Sequence, residues 1–188
     1  VIYATSYSSS LGELFLASDG HCLTELDFAV GTHTKSHGAT AKKRAEAHYD
    51  AVGLRDLDIF AHTANWLDQY FRGERPQDAP PLAPKGSDFQ LAVWRLLRKI
   101  PYGETITYGQ LAKDYCAETG RATMSAQAVG GAVGRNPISI IVPCHRVVGS
   151  DGSLTGYASG VEHKVGLLRL EGLDVDEQEL RLSRPSAS

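Results

Sequence analysis

The sequence predicts two domains, a small α/β unit followed by a mostly helical one. Three observations carry that expectation. Residues 2–28 alternate apolar and polar positions in short runs broken by Ser- and Gly-containing turns, as a strand meander does. Between Pro76 and Pro84 four prolines fall in nine residues, a stiff extended stretch suited to a boundary. Beyond it, helical spacing, two capping sequences and a glycine-containing turn dominate. The expected divisions are a scaffold over residues 1–75, a linker over 76–86, a second domain over 87–175 and a disordered tail over 176–188.

The strands come first. Ile2–Tyr7 is rich in β-forming residues, and Ser8–Gly12 turns the chain into Glu13–Ala17. Ser18-Asp19-Gly20 turns it again, into the alternating run Cys22–Phe28, on which Cys22 reads as a small core residue. Residues 30–50 have no period and are expected to be a mobile connection, with Lys42-Lys43-Arg44 on a solvated surface. From Ile59 the period changes to that of a helix: Ile59, Thr63, Trp66, Leu67, Tyr70 and Phe71 share a face, and Gly73 closes it.

After the linker, Ser87-Asp88-Phe89-Gln90 is a capping box opening a helix with Phe89, Val93, Leu96, Leu97 and Ile100 on one side. Thr107-Tyr108-Gly109-Gln110 is a second, opening a helix to about Cys116. Gly120 turns the chain, and Thr123 or Ser125 caps a further helix from Ala126 to Gly134, so the pair reads as a helix-turn-helix. That second helix is nearly bare: Ala126, Ala128, Gly130, Gly131, Ala132 and Gly134. Glycine inside a helix costs up to about 1 kcal/mol relative to alanine, so something must approach closely. A nucleic-acid backbone, with Gln127 and Arg135 as polar reach, and a neighbouring helix are both open readings. Glu162–Glu171 forms the last helix, with Val165, Leu167 and Leu168 inward and Gly172 as cap. Glu171 can face the same interior, where an acid at a helix C-terminus needs a partner such as an imidazole.

Composition bounds the function. Hydrophobic residues make up 42% and charged residues 22%, as in an ordinary globular protein. No apolar run approaches the length that spans a bilayer, and no secretion signal is recognised. Three separated cysteines, Cys22, Cys116 and Cys144, make no disulfide framework, so a reducing compartment is expected. No ligand spacing for zinc is present, and no metal or other cofactor is expected. Net charge is −3, against a strongly basic nucleic-acid binder, yet residues 84–172 carry 10 Lys/Arg and 7 Asp/Glu, a local +3 of the sign that suits a polyanion.

The chemistry concentrates in Asn136-Pro137-Ile138-Ser139-Ile140-Ile141-Val142-Pro143-Cys144-His145-Arg146-Val147-Val148-Gly149. Ile138–Val142 is expected to be a short buried strand or extended segment, and Pro143 ends its pairing, leaving Cys144 just beyond. His145 and Arg146 supply a titratable nitrogen and a fixed positive charge, both able to favour a thiolate. An activated nucleophile and an inert buried cysteine both fit these residues alone.

Asn136-Pro137 followed by Pro143-Cys144-His145-Arg146 resembles the active-site motif of the O6-alkylguanine-DNA alkyltransferases. Gly103–Ala112, Ala128–Ala132 and Leu167–Gly172 resemble further family motifs in the family's order, so the likeness spans residues 87–172. Leu11-Gly12-Glu13-Leu14 and the Trp66–Phe71 helix match in pattern only. The resemblance implies an N-terminal ribonuclease-H-like α/β domain and a C-terminal helix-turn-helix, winged-helix-like domain. It implies a monomeric, cytoplasmic protein (nuclear in a eukaryote) that repairs duplex DNA by single-use transfer of an alkyl group from O6 of guanine, and from O4 of thymine, to cysteine. On the matched positions Cys144 is the acceptor, His145 its base acting through water, Glu171 orients the imidazole and Asn136 braces the turn. Tyr108 crowds the target phosphate; Gln127, Ala128, Gly130, Gly131 and Arg135 meet the minor groove. Val147, Tyr157, Ala158, Ser159 and Lys164 line the pocket for the flipped base.

The physics agrees. Attack on a saturated carbon needs a thiolate and a base, and a base inside a duplex must be extruded to be reached. One departure stands out: much of the family has an arginine at the position of Gln127, inserted into the base stack. Glutamine can fill that space and hydrogen-bond to the orphaned base, without charge. Two rivals remain, a lesion sensor that binds without accepting the alkyl group, against which Cys144 itself argues, and a cysteine hydrolase built on Cys144, His145 and Glu171.

Overall fold

The computed structural model describes residues 1–29, 48–154 and 160–183. The Lys42-Lys43-Arg44 triplet and most of the expected connection, the loop residues Tyr157, Ala158 and Ser159, and the last five residues lie outside that description. The chain divides into two compact units: Val1–Lys85 with Pro137–Ile141, and Gly86–Asn136 with Val142–Ser188.

In the first unit the meander forms β1 (Tyr3–Ser9), β2 (Gly12–Ser18) and β3 (Leu23–Phe28), joined by a short β4 (Asp50–Ala51) and one helix, α1 (Asp58–Phe71). The sheet order is β3-β2-β1-β4, antiparallel except that β4 runs parallel to β1. Alternation sends Leu14 and Leu16 of β2 to one face, opposite Phe28 and Leu26 of β3, and all four are buried. The buried stripe of α1 holds Ile59, Phe60, Thr63, Ala64, Trp66, Leu67 and Tyr70. Thr63 can sit there because its hydroxyl donates to the Ile59 carbonyl at 2.7 Å. Gly73, at φ +80°, takes the left-handed conformation just past the helix. Cys22 lies in the turn before β3 and is half-buried rather than on the strand.

Two segments dock here on the same edge. The proline-rich stretch, at whose end the division between the units falls, is held there, because Pro81 accepts from Leu23 N–H at 2.8 Å and Ala83 donates to Leu23 at 2.9 Å. The run Ile138–Val142 is not a strand: only Ile138 makes a bridge, parallel to Leu26, and the chain turns at Ser139–Ile141 with Ile140 at φ +70°. Leu26 N–H donates to Pro137 O at 3.0 Å and Ser139 N–H to Leu26 O at 2.7 Å. Both segments therefore pair with the outer edge of β3, which would otherwise present unpaired backbone groups. Ile138, Ile140, Ile141 and Val142 are all buried, so the apolar run signalled burial and not strand geometry.

The second unit contains α2 (Asp88–Leu97), β5 (Ile106–Thr107), α3 (Tyr108–Thr119), α4 (Ala126–Gly134), a 3₁₀ turn (Cys144–Arg146), β6 (Val147–Val148), α5 (Val161–Leu170), β7 (Val175–Asp176) and β8 (Arg181–Leu182). The capping box on α2 is complete, with Gln90 N–H donating to Ser87 Oγ at 3.2 Å and Ser87 N–H to Gln90 Oε1 at 2.9 Å. On α3 only half forms: Thr107 Oγ1 accepts from Gln110 N–H, but the Gln110 side chain donates to Asp114 one turn on. Gly120, at φ +73°, ends α3 and Ser125 caps α4, completing the helix-turn-helix. Trp94 of α2 donates its indole N–H to the Ala132 carbonyl at 2.9 Å, tying α4 to a core with Val93, Leu97, Leu111, Val129 and Val133.

The tail expected from residue 176 is ordered through Ser183. Asp176 and Arg181 pair in a β7–β8 hairpin, and Leu182 N–H donates to Gly152 O at 3.0 Å. Val175 is buried with Val148, Leu154, Val165 and Leu168, and Leu182 packs against that cluster. Charged residues at alternate positions concealed a hairpin with one apolar side.

Candidate active site

The 3₁₀ turn carries the thiol. Proline at 143 has no N–H to extend a ladder, and Cys144 N–H donates back to Val142 O at 2.8 Å, so the chain coils into Cys144-His145-Arg146 instead of extending. The coil lets adjacent residues serve one site, which a strand would forbid. Asn136 Nδ2 donates to the Val142 carbonyl at 2.8 Å and holds the residue before Pro143 in place.

Two elements present the partners. The parallel pair β5–β6 sets Thr107 against Val148, so the first residue of α3, Tyr108, emerges beside the turn. Burial raises the Tyr108 pKa and the charge of Cys144 raises it further. From α5 comes Lys164, only 1% exposed, whose ammonium donates to the Val147 carbonyl at 2.6 Å. Burial lowers Lys164 to about 8, while the negative charge available at Cys144 pulls it back up.

Glu171 stands at the C-terminal end of α5, where the helix dipole disfavours it. Tyr102 hydroxyl donates to Leu170 O at 3.1 Å, and Gly103, at φ +78°, passes so close that a Cβ would lie 3.1 Å from the Glu171 carbonyl. The acid is offset by two cations or donors. His145 Nε2 lies 3.1 Å from Glu171 Oε1; Arg146 Nε lies 3.1 and 3.0 Å from the two carboxylate oxygens, and Arg146 Nη2 2.5 Å from Oε1. Burial pushes the Glu171 carboxyl up, but the hydrogen bonds and charges of His145 and Arg146 outweigh it and leave it at about 2. It is a carboxylate at neutral pH.

His145 is fully buried. Desolvation pushes its pKa down, Arg146 and Lys164 push the same way, and Glu171 opposes them. A neutral imidazole follows. With the Glu171 carboxylate accepting at Nε2, the proton sits there, and Nδ1, buried and without a hydrogen-bond partner, keeps its lone pair. Such a ring beside a thiol can take a proton through Nδ1.

Cys144, His145, Glu171, Asn136, Tyr108, Val147 and Lys164 thus all fall in or beside one site in the second unit. Arg146 is a correction: its three nitrogens are engaged by Glu171 and by the Ile100 carbonyl, at 2.6 Å from Nη1, so its charge is spent on the acid rather than directed at the thiol. The sequence showed a cation beside the cysteine but not its aim. Gln127, Ala128, Gly131 and Arg135 lie on the exposed side of α4, opposite buried Val129, Ala132 and Val133. A Cβ on Gly130 would meet the Tyr108 ring at 3.5 Å, an ordinary contact, and one on Gly131 would meet nothing within 4 Å. Internal packing therefore does not account for the glycine at 131. Tyr157, Ala158 and Ser159 are outside the described residues. Among the described residues no group of three or more His, Cys, Asp or Glu side chains could hold a metal, and no helix is long and apolar enough to cross a membrane.

Comparison with known proteins matches both halves. Residues 2–83 match the ribonuclease-like domain of 6-O-methylguanine DNA methyltransferase, and residues 88–173 its DNA binding domain. The chain is 42% identical over 171 residues to a methylated-DNA–protein-cysteine methyltransferase of Methanosarcina acetivorans, covering 91% of this chain and 99% of that one. It is 37% identical over 185 residues to one of Haemophilus influenzae, covering 98% and 94%. The crystal structure of Mycobacterium tuberculosis O6-methylguanine methyltransferase superposes with a TM-score of 0.75 at 38% identity, covering 91% and 93%. That of Mycobacterium tuberculosis OGT in complex with DNA gives 0.72 at 37%, covering 90% and 92%.

Proposed function

Because the chain belongs to the O6-methylguanine DNA methyltransferase family, we propose that Cys144 is the single-use acceptor of an alkyl group from O6 of guanine in duplex DNA. The observation that carries this is the buried neutral His145, oriented by Glu171 at Nε2 and left basic at Nδ1, next to Cys144 in one turn.

The steps balance. The thiol proton passes to Nδ1 of His145 through a water molecule, and the sulfur attacks the alkyl carbon. A carbon–sulfur bond forms, the bond from carbon to O6 breaks, and the leaving guanine gains one proton through water as His145 gives up the one it took from the thiol. The thioether at Cys144 has no route back to a thiol, so each molecule reacts once. O4 of alkylated thymine offers the same leaving oxygen. Lys164 provides positive charge near the sulfur without competing for the proton, since its ammonium is tied to the Val147 carbonyl.

DNA meets the exposed face of α4, where Ala128 and Gly131 keep the surface low and Arg135 reaches phosphate. Entry is from the minor groove, with Gln127 filling the space of the extruded nucleotide. Tyr108, half-buried at the head of α3, crowds the target phosphate, and Tyr157, Ala158 and Ser159 close over the flipped base. An acceptor that must stay a reduced thiol suits a reducing compartment, the cytoplasm or a nucleus.

The test is stoichiometry. With excess O6-methylguanine duplex, the intact mass should rise by one methyl group, localised to Cys144 and absent in Cys144→Ala. Repeated turnover without mass change would replace this reading with hydrolysis; binding without mass gain would make the protein a sensor.

A further inference from the structure

Arg146 occupies an unusual place for an arginine. It is 8% exposed and its nitrogens are turned inward: Nε and Nη2 grip both oxygens of Glu171, Nη1 donates to the Ile100 carbonyl beyond α2, and the guanidinium lies 5.8 Å from the centroid of the Tyr102 ring. Only the planar fork of arginine reaches a carboxylate in two places and a separate carbonyl at once. The same Glu171 oxygen, Oε1, accepts from both Arg146 and His145.

We infer that Arg146 is a positioning residue for the transfer, which holds Glu171 as a fixed carboxylate and keeps His145 neutral with its free lone pair at Nδ1. This rests on the alkyl-transfer reading of the site. The logic is competition. An unshared carboxylate beside an imidazole attracts a second proton to the ring and turns a base into an imidazolium. Arg146 takes up most of that negative charge and adds its own positive field, while leaving one lone pair of Oε1 to orient the ring. The charged groups facing His145 are Glu171 from the end of α5, Arg146 from its own turn, Lys164 from within α5, and the Cys144 thiol when ionised. Burial and the two cations hold the imidazole below its ordinary value against Glu171 alone. Removing Arg146 deletes one of the opposing cations and frees the acid, and both changes raise the proton affinity of His145.

The experiment follows the ¹⁵N signals of the His145 ring against pH in the free protein, assigned by their loss in His145→Gln. Single-turnover transfer from an O6-methylguanine duplex is measured across the same range. In the wild type the ring should carry its proton on Nε2 and titrate below the ordinary range of a histidine. Arg146→Lys keeps a charge but loses the fork, and should raise the titration midpoint by about one pH unit; Arg146→Met should raise it by about two. The acid limb of the rate profile should move by the same amount, with the rate recovering toward wild type at higher pH. A midpoint that stays in place while the rate falls equally at every pH would overturn the inference and leave Arg146 a structural residue. If Arg146→Met does not fold, Arg146→Lys decides alone, an unmoved midpoint counting against. If the wild type accepts no methyl group, the reading of the site fails instead, and the ring titration still decides what Arg146 does.

Discussion

Glu171→Gln offers the most quantitative check on how the site is held. Glutamine has the shape of a protonated glutamic acid, so the substitution removes the charge and little else. In the folded protein burial raises the Glu171 pKa, but His145 and Arg146 more than reverse this and bring it from 4.5 to about 2. That displacement is worth about 3 kcal/mol of stability at neutral pH. Removing one partner of a buried ion pair costs about 3–5 kcal/mol, which agrees. Because the folded pKa is depressed, the stabilisation is complete above the ordinary value of 4.5 and is lost as pH falls through 4.5 toward 2. Urea unfolding of both proteins, from pH 7 to the lowest pH at which they fold, should give a difference near 3 kcal/mol that is flat down to about pH 5 and then narrows by about 1.4 kcal/mol per pH unit. A difference below 1 kcal/mol at pH 7, or one that does not change with pH, would refute the picture of Glu171 as a buried carboxylate. The same variant should slow alkyl transfer about 10²-fold or more, since the glutamine amide can present either a donor or an acceptor to Nε2 and no longer selects the ring tautomer.

Other perturbations separate packing from function. Gly131→Ala adds a methyl that meets nothing within 4 Å and should stabilise α4 by up to about 1 kcal/mol, while weakening duplex binding measured by fluorescence anisotropy; undiminished affinity would move the DNA off this face. Gly103→Ala combines φ +78° with a 3.1 Å approach to the Glu171 carbonyl, and should cost about 1–3 kcal/mol in thermal unfolding while slowing transfer through the displaced acid. Gln127→Ala should leave transfer from a single-stranded oligonucleotide unchanged and slow it on duplex DNA; equal rates on duplex would remove the glutamine from nucleotide extrusion.

What could be read in the linear chain was whatever local spacing determines. The strand meander, α1, the complete capping box at Ser87–Gln90 and the helix-turn-helix all follow from periodicity and turn residues, while the pairing of Glu171 with the imidazole was implied by the family resemblance. The motifs around Cys144 carried the family, because a thiol with its base and orienting acid recurs at set positions along the chain. Tertiary structure decided the rest. Ile138–Val142 had the composition of a strand, but only the edge of β3, more than a hundred residues earlier, determined that one residue would pair and the others turn. The hairpin after α5 depended on an apolar cluster assembled from four separate segments. The direction of the Arg146 guanidinium depended on where the carbonyl of Ile100 and the end of α5 would lie. A residue's type limits which bonds it can make, while the partners it meets are set by packing between segments remote in sequence, and the chain order alone does not contain those distances.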